Sequence, residues 1–176
     1  DACVLYPTVM REVLLGVAAT GAYTPVWSDR ILEEWLRATH KLGPADTEYA
    51  RGEIALIRAK WPRALQPKRP EDDHIAPLPD PNDTHVLATA LSSRADLIIT
   101  MNLQDFPRRV LQGFGISAMH PDEFLWRLFG DDPDMLRGVT ERVQQEAERL
   151  SGTDLPIRAL MKKARMPRLG KALSVD

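Results

Sequence analysis

Carboxylates stand at both ends of one helix-to-strand unit in this chain. Asp80-Pro81-Asn82-Asp83-Thr84-His85-Val86-Leu87-Ala88 opens a helix, and Leu97-Ile98-Ile99-Thr100-Met101-Asn102-Leu103-Gln104-Asp105-Phe106-Pro107 puts an acid just beyond a short apolar strand. Two further acids, Asp1 and Glu34, fall at similar punctuation points upstream. Carboxylates gathered in one place repel one another unless a divalent cation lies between them, so the pattern predicts an oxygen-ligand metal site. Carboxylate oxygens with few partnered imidazoles suit Mg²⁺ or Mn²⁺ and disfavour zinc, which prefers nitrogen and sulfur. Each acid also has a plain structural reading. Asp80 as N-cap, Pro81 at the first helical position and Asp83 at the third describe an ordinary helix start. Asp105 can be a turn former and Glu34 part of a solvated face. Joint placement favours the site: ligands of an open parallel sheet collect outside the carboxyl ends of its strands, and Asp1 and Asp105 fall on that rim.

The elements that must position these acids follow from periodicity and punctuation. Apolar residues at Val9, Val13, Leu14 and Val17 predict a helix over 8–19 that Gly21 stops. Residues 23–27 resemble a short strand, and Ser28 is a fitting N-cap for a helix over 29–42 with Ile31, Leu32, Trp35 and Leu36 as its buried stripe. A further helix, over 46–60, carries Tyr49, Ile54 and Ile57; the Pro-rich, charged 62–79 is a loop with room for one short extended piece. The central helix over 81–94 then leads to a strand over 97–100, a helical turn over 108–112, a small strand over 115–118 and a helix over 121–129. Strands alternating with helices predict an α/β fold with a parallel sheet flanked by helices. After Gly130 the chain changes character, with a polar helix to about residue 150 and a basic, mostly helical tail. The expected organisation is an α/β domain over 1–129 and a helical, partly basic C-terminal extension over 130–176.

Bulk properties narrow the class. The chain has 176 residues, 44% apolar and 27% charged, with a net charge of -2, which leaves room for a real core but no overall basic coat. No run approaches the roughly 18 apolar residues that span a bilayer. The single cysteine, Cys3, excludes an intrachain disulfide, and the expected compartment is a reducing cytoplasm. The sequence begins at Asp1 rather than Met, and residues before Asp1 are expected in the natural chain.

In order and spacing, four segments resemble the PIN-domain nuclease family, which includes the VapC-like toxins of toxin–antitoxin pairs. They are Asp1-Ala2-Cys3-Val4-Leu5-Tyr6-Pro7, Trp27-Ser28-Asp29-Arg30-Ile31-Leu32-Glu33-Glu34-Trp35, the Asp80 to Ala88 stretch, and Ile98-Ile99-Thr100-Met101-Asn102-Leu103-Gln104-Asp105-Phe106-Pro107. The resemblance extends over about 1–126 and implies a Rossmann-like PIN domain whose four acids bind Mg²⁺ or Mn²⁺. Asp1 matches the acid after the first strand and Glu34 the acid in the helix behind Trp27-Ser28. Asp83 matches the acid opening the central helix, and Asp105 that of the Asn-x-x-Asp-Phe motif. The family ordinarily has an apolar strand before its first aspartate, which this sequence lacks. The implied activity is hydrolysis of RNA phosphodiesters to 5′-phosphate and 3′-hydroxyl ends. The implied setting is a type II toxin–antitoxin system with a cognate antitoxin, and a homodimer is a further candidate assembly. The alternative is a catalytically silent PIN-like module that binds RNA or a protein. A phosphatase is disfavoured, because Asp1-Ala2-Cys3 lacks the second aspartate such enzymes place two residues after their nucleophile.

Other side chains have supporting readings. Asp80 is a candidate outer-shell carboxylate, although a cap is the better reading. Thr100 can hydrogen-bond a metal ligand or water, and Asn102 can position the Asp105 loop or contact substrate. Arg11 is a candidate for holding a substrate phosphate, with a solvated arginine the plainer reading. His85, two positions after Asp83, is expected to turn off that helix face and pack or face solvent. His40, His74 and His120 have no partner spacing. Cys3, Tyr6, Trp27 and Trp35 lie among apolar residues and are expected in the core. The basic tail can draw a phosphate backbone by counterion release or simply form a solvated surface.

Overall fold

The computed structural model describes residues 1–67 and 78–174; part of the expected 62–79 loop, His74 and Asp176 lie outside them. Packing gathers the chain into two compact units that are discontinuous in sequence: Asp1–Tyr6 with Pro25–Met119, and Pro7–Thr24 with His120–Asp176.

The first unit is the α/β part. A short helix α1 (Ala2–Leu5) starts at Asp1, which caps it by accepting from the Cys3 amide. This stretch, expected only as an apolar run, is helical because the cap and buried Val4 and Leu5 fix it. Strand β1 (Trp27–Ser28) leads directly into α3 (Asp29–Thr39), where the Ser28 hydroxyl accepts from Ile31 N. Helix α3 buries Ile31, Leu32 and Trp35 of the stripe predicted from period 3.6, with Thr39 joining them, while Leu36 is only half-buried. Helix α4 (Pro44–Lys60) follows, then β2 (Leu65–Gln66). A 3₁₀ turn (Pro81–Asp83) precedes α5 (Thr84–Ser93), and β3 (Leu97–Ile99), α6 (Arg108–Leu111) and β4 (Ser117–Met119) complete the unit. The strands are short and pair in parallel: Trp27 with Leu65 and Ser28 with Gln66 in one sheet, Leu97, Ile98 and Ile99 with Ser117, Ala118 and Met119 in the other. Helix α5 packs on β1 and β3, so its almost wholly apolar run Val86-Leu87-Ala88-Thr89-Ala90 is buried.

The second unit is all helical: α2 (Thr8–Ala19), α7 (Pro121–Asp131), α8 (Pro133–Ser151), α9 (Ile157–Lys163) and α10 (Pro167–Ala172). Helices α2 and α8 approach closely at Gly16, where an added Cβ would lie 2.7 Å from Cγ1 of Val139. The α9–α10 hairpin closes at Gly170, whose missing Cβ would lie 2.9 Å from that of Met161. Leu160, Met161, Met166 and Leu169 are buried there, so the basic tail has a packed inner face. Tyr23 donates to the Leu14 carbonyl at 2.7 Å and meets Phe124 edge-on at 5.1 Å.

Three side chains lie elsewhere than their sequence context suggests. Tyr6 is exposed, and Tyr49 is 60% exposed on α4, where Ala50 and Ile57 turn inward instead. Arg11, expected in solvent or on a substrate phosphate, is 1% exposed in α2 and has no open surface with which to hold a phosphate. Its neighbours at 10, 13 and 14 are core residues, and the guanidinium goes inward with them, its Nε 3.5 Å from Glu12.

Candidate active site

The first unit brings the four sequence-predicted acids into one electrostatic neighbourhood. Asp83 ends the 3₁₀ turn ahead of α5, and its carboxyl is pushed up to about 6. Burial is the largest cause, followed by the negative charges of Asp105, Asp80 and Glu34 and by a hydrogen bond shared with Asp105. Asp1 belongs to the same group, within electrostatic range of Glu34 and Asp83.

Each acid is held by its own partner. The Thr100 hydroxyl, fully buried just past β3, donates to Oδ2 of Asp1 at 2.6 Å and accepts from the Asn102 amide at 3.0 Å. The Cys3 thiol donates to the same Asp1 oxygen at 3.0 Å and accepts from Met101 N at 3.3 Å, so Cys3 joins the site rather than the core. Asn102 Nδ2 donates to Oδ2 of Asp105, which ties the acid to the loop after β3. Asp80 accepts from Asn82 N at 2.8 Å as the cap of the 3₁₀ turn, and its charge still acts on Asp83.

His85 was not foreseen as part of this site. Its Nε2 lies 2.7 Å from Oε1 of Glu34, a close polar contact between α5 and α3. Counting helical positions from Asp83 missed it for two reasons. The 3₁₀ turn breaks the 3.6 period just before His85, and its partner lies on another helix. Arg30 is a second addition: Nε is 3.7 Å from Glu34, and Nη2 donates to the Asn82 carbonyl at 3.4 Å. Its i,i+4 spacing to Glu34 is the one signal the sequence carried.

Among the described residues no group of three or more His, Cys, Asp or Glu side chains stands close enough to hold a metal ion as placed. Asp1 is turned to Thr100 and Cys3, Glu34 to His85, and Asp83 to Asp105. The donor chemistry nevertheless fits a hard divalent cation. The set is carboxylate oxygen, and Asp83 is raised by neighbours that such an ion would neutralise. Replacing Thr100 by valine keeps the shape, strips the Asn102 N–H of its acceptor and leaves Oδ2 of Asp1 with the Cys3 thiol alone of its two donors. The expected cost is about 1–3 kcal/mol of stability in thermal melts; a change under a few tenths would show the bond to be idle.

The PIN domain family matches residues 1–104, and the chain belongs to that family. Over 61 residues it is 51% identical to Putative ribonuclease VapC50 of Mycobacterium tuberculosis (strain ATCC 25618 / H37Rv), covering 35% of this chain and 34% of that protein. The chain thus spans about a third of the length of that relative. No solved structure matches.

Proposed function

We propose that this PIN-domain chain is a metal-dependent ribonuclease and the toxin of a type II toxin–antitoxin pair. The observation that carries the reading is the Asp83 carboxyl, raised by burial and by the neighbouring charges of Asp105, Asp80 and Glu34, with Asp1 within electrostatic range of Glu34 and Asp83. In this reading Asp1, Asp83 and Asp105 hold Mg²⁺ or Mn²⁺, and Glu34 orients water or a second ion. The ion supplies neutralisation of a phosphodiester oxygen and a lowered pKa for coordinated water. The chain's own residues set the geometry. Thr100 aims Asp1, Asn102 aims Asp105, and His85 with Arg30 holds Glu34. Water oxygen adds to phosphorus, the bond to O3′ breaks, and the proton passes to O3′, leaving a 5′-phosphate and a 3′-hydroxyl.

The rest of the reading follows from family. The partners are RNA and a cognate antitoxin, with a homodimer as the candidate assembly, and the cytoplasm is the place of action. Among the described residues no helix is long and apolar enough to cross a membrane. The PIN-like part is proposed to extend over 1–129, with 130–176 as the helical extension.

A second reading, a silent PIN-like binding module, is favoured by the absence of a metal-ready side-chain group among the described residues. The test separates them. The ribonuclease cuts single-stranded RNA in Mg²⁺ or Mn²⁺, stops in EDTA and recovers when Mn²⁺ is restored, with heat of Mn²⁺ binding in calorimetry. RNA binding with neither Mn²⁺ heat nor turnover selects the silent module.

A further inference from the structure

The proposed reaction does not use the basic segment. Residues 155–174 carry Arg158, Lys162, Lys163, Arg165, Arg168 and Lys171 and no acid. All six side chains are exposed, although the hairpin beneath them is packed. The start of α10 is fixed by Asp122 of α7, whose two carboxylate oxygens accept from the amides of Arg168 at 3.0 Å and Leu169 at 2.9 Å. Beside this anchor is an open, almost wholly apolar cavity of about 410 Å³ lined by Trp126, Arg168, Lys171 and Ala172. Trp126 is 47% exposed, a large apolar ring left in water on the outer side of α7. Besides Asp122, Glu123 lies 3.9 Å from Arg168 and is also paired with Arg127 at 2.6 Å.

We infer that Trp126, Arg168 and Lys171 form a subsite for single-stranded RNA, one base stacked on the indole and its flanking phosphates held by the two cations. The ligand must combine a flat apolar face with adjacent negative charge. A nucleotide strand does so, and stacking on an aromatic ring beside a basic track is how single strands are held without base-edge readout. A cavity of this size admits a nucleobase, and the exposed cations over 155–174 can release counterions from a phosphate backbone, Arg168 exchanging its long contact with Glu123 for a phosphate. The choice of RNA as the nucleic acid rests on the ribonuclease reading; the geometry of the subsite does not.

The test uses the full chain in EDTA and a fluorescently labelled single-stranded oligoribonucleotide, read by anisotropy. Trp126→Leu is expected to weaken binding about tenfold, within the stacking range, while Trp126→Phe retains most of the affinity. Arg168→Gln combined with Lys171→Gln is expected to flatten the slope of log K against log salt by about 1.4, two phosphates at about 0.7 each. Both cations are exposed, so this double variant decides the matter even if Trp126→Leu fails to fold. Unchanged affinity and slope overturn the subsite and leave the face to a protein partner. Cleavage assays in Mn²⁺ keep the two ideas apart. Cleavage without dependence of binding on these residues sinks the subsite alone, and dependence without cleavage sinks the ribonuclease alone.

Discussion

Asp83→Asn is expected to lower RNA cleavage by at least about 10³-fold, some 4 kcal/mol of transition-state stabilisation, and to raise the melting temperature of the metal-free protein at neutral pH. The two effects have one cause. Burial and the charges of Asp105, Asp80 and Glu34 push the Asp83 carboxyl from its ordinary 3.8 up to about 6. Between those values the folded chain binds more proton than the unfolded chain. The stabilising contribution is therefore full below 3.8 and is lost as pH rises through 6. At pH 7 without metal, Asp83 is ionised among like charges, a local conflict that a cation would relieve. Asparagine keeps the shape and removes the charge, so its melting temperature in EDTA should fall less between pH 5 and pH 7 than that of the unmodified chain. Asp83 is only partly buried, so water screens the effect and it appears as a modest shift in melting temperature. Mg²⁺ should reverse the order by stabilising the unmodified chain alone. Equal cleavage by the two proteins would remove the proposed centre. A lower melting temperature for the variant in EDTA would mean that hydrogen bonds, not repulsion, dominate at Asp83.

The features legible in the sequence are those set by local chemistry. The helix at Thr8–Ala19 has the bounds that its apolar spacing and terminal Gly21 dictate. Ser28 and Asp80 cap where their side chains reach the next backbone amides. What was not legible depends on partners distant in sequence. Arg11 falls at a core position of α2, and nothing in its neighbours' spacing distinguishes a buried guanidinium from a solvated one. His85 needs Glu34, on a different helix, to show its place. The strands are short, and the Thr100 hydroxyl just past β3 is turned to Asp1, a partner 99 residues away in sequence. The same division applies to the tail. Its charges are plain in sequence, but the packing of Met161 against Gly170 that orders them is not.

That ordering leads to the second large effect. Asp122 is 5% exposed, and both of its oxygens are committed to backbone amides at the start of α10. The N-cap residue, Met166, makes no side-chain cap hydrogen bond of its own, and Pro167 has no side-chain acceptor. Asp122→Ala removes the acceptor and leaves two amides without partners, one of them, Leu169 N, deeply buried. Charge-assisted bonds of this kind contribute about 1.5–3 kcal/mol, and a stranded buried donor has a similar cost. The expected loss is therefore about 2–4 kcal/mol, concentrated in the hairpin. Hydrogen exchange should show it first: amides of α9 and α10 lose protection while those of α5 keep theirs. Asp122→Asn, which retains one acceptor oxygen, should fall between the two. A uniform loss of protection across both compact units would show that Asp122 supports the whole fold and not the hairpin alone. If the hairpin does loosen by itself, Asp122→Ala should weaken RNA binding as Trp126→Leu does.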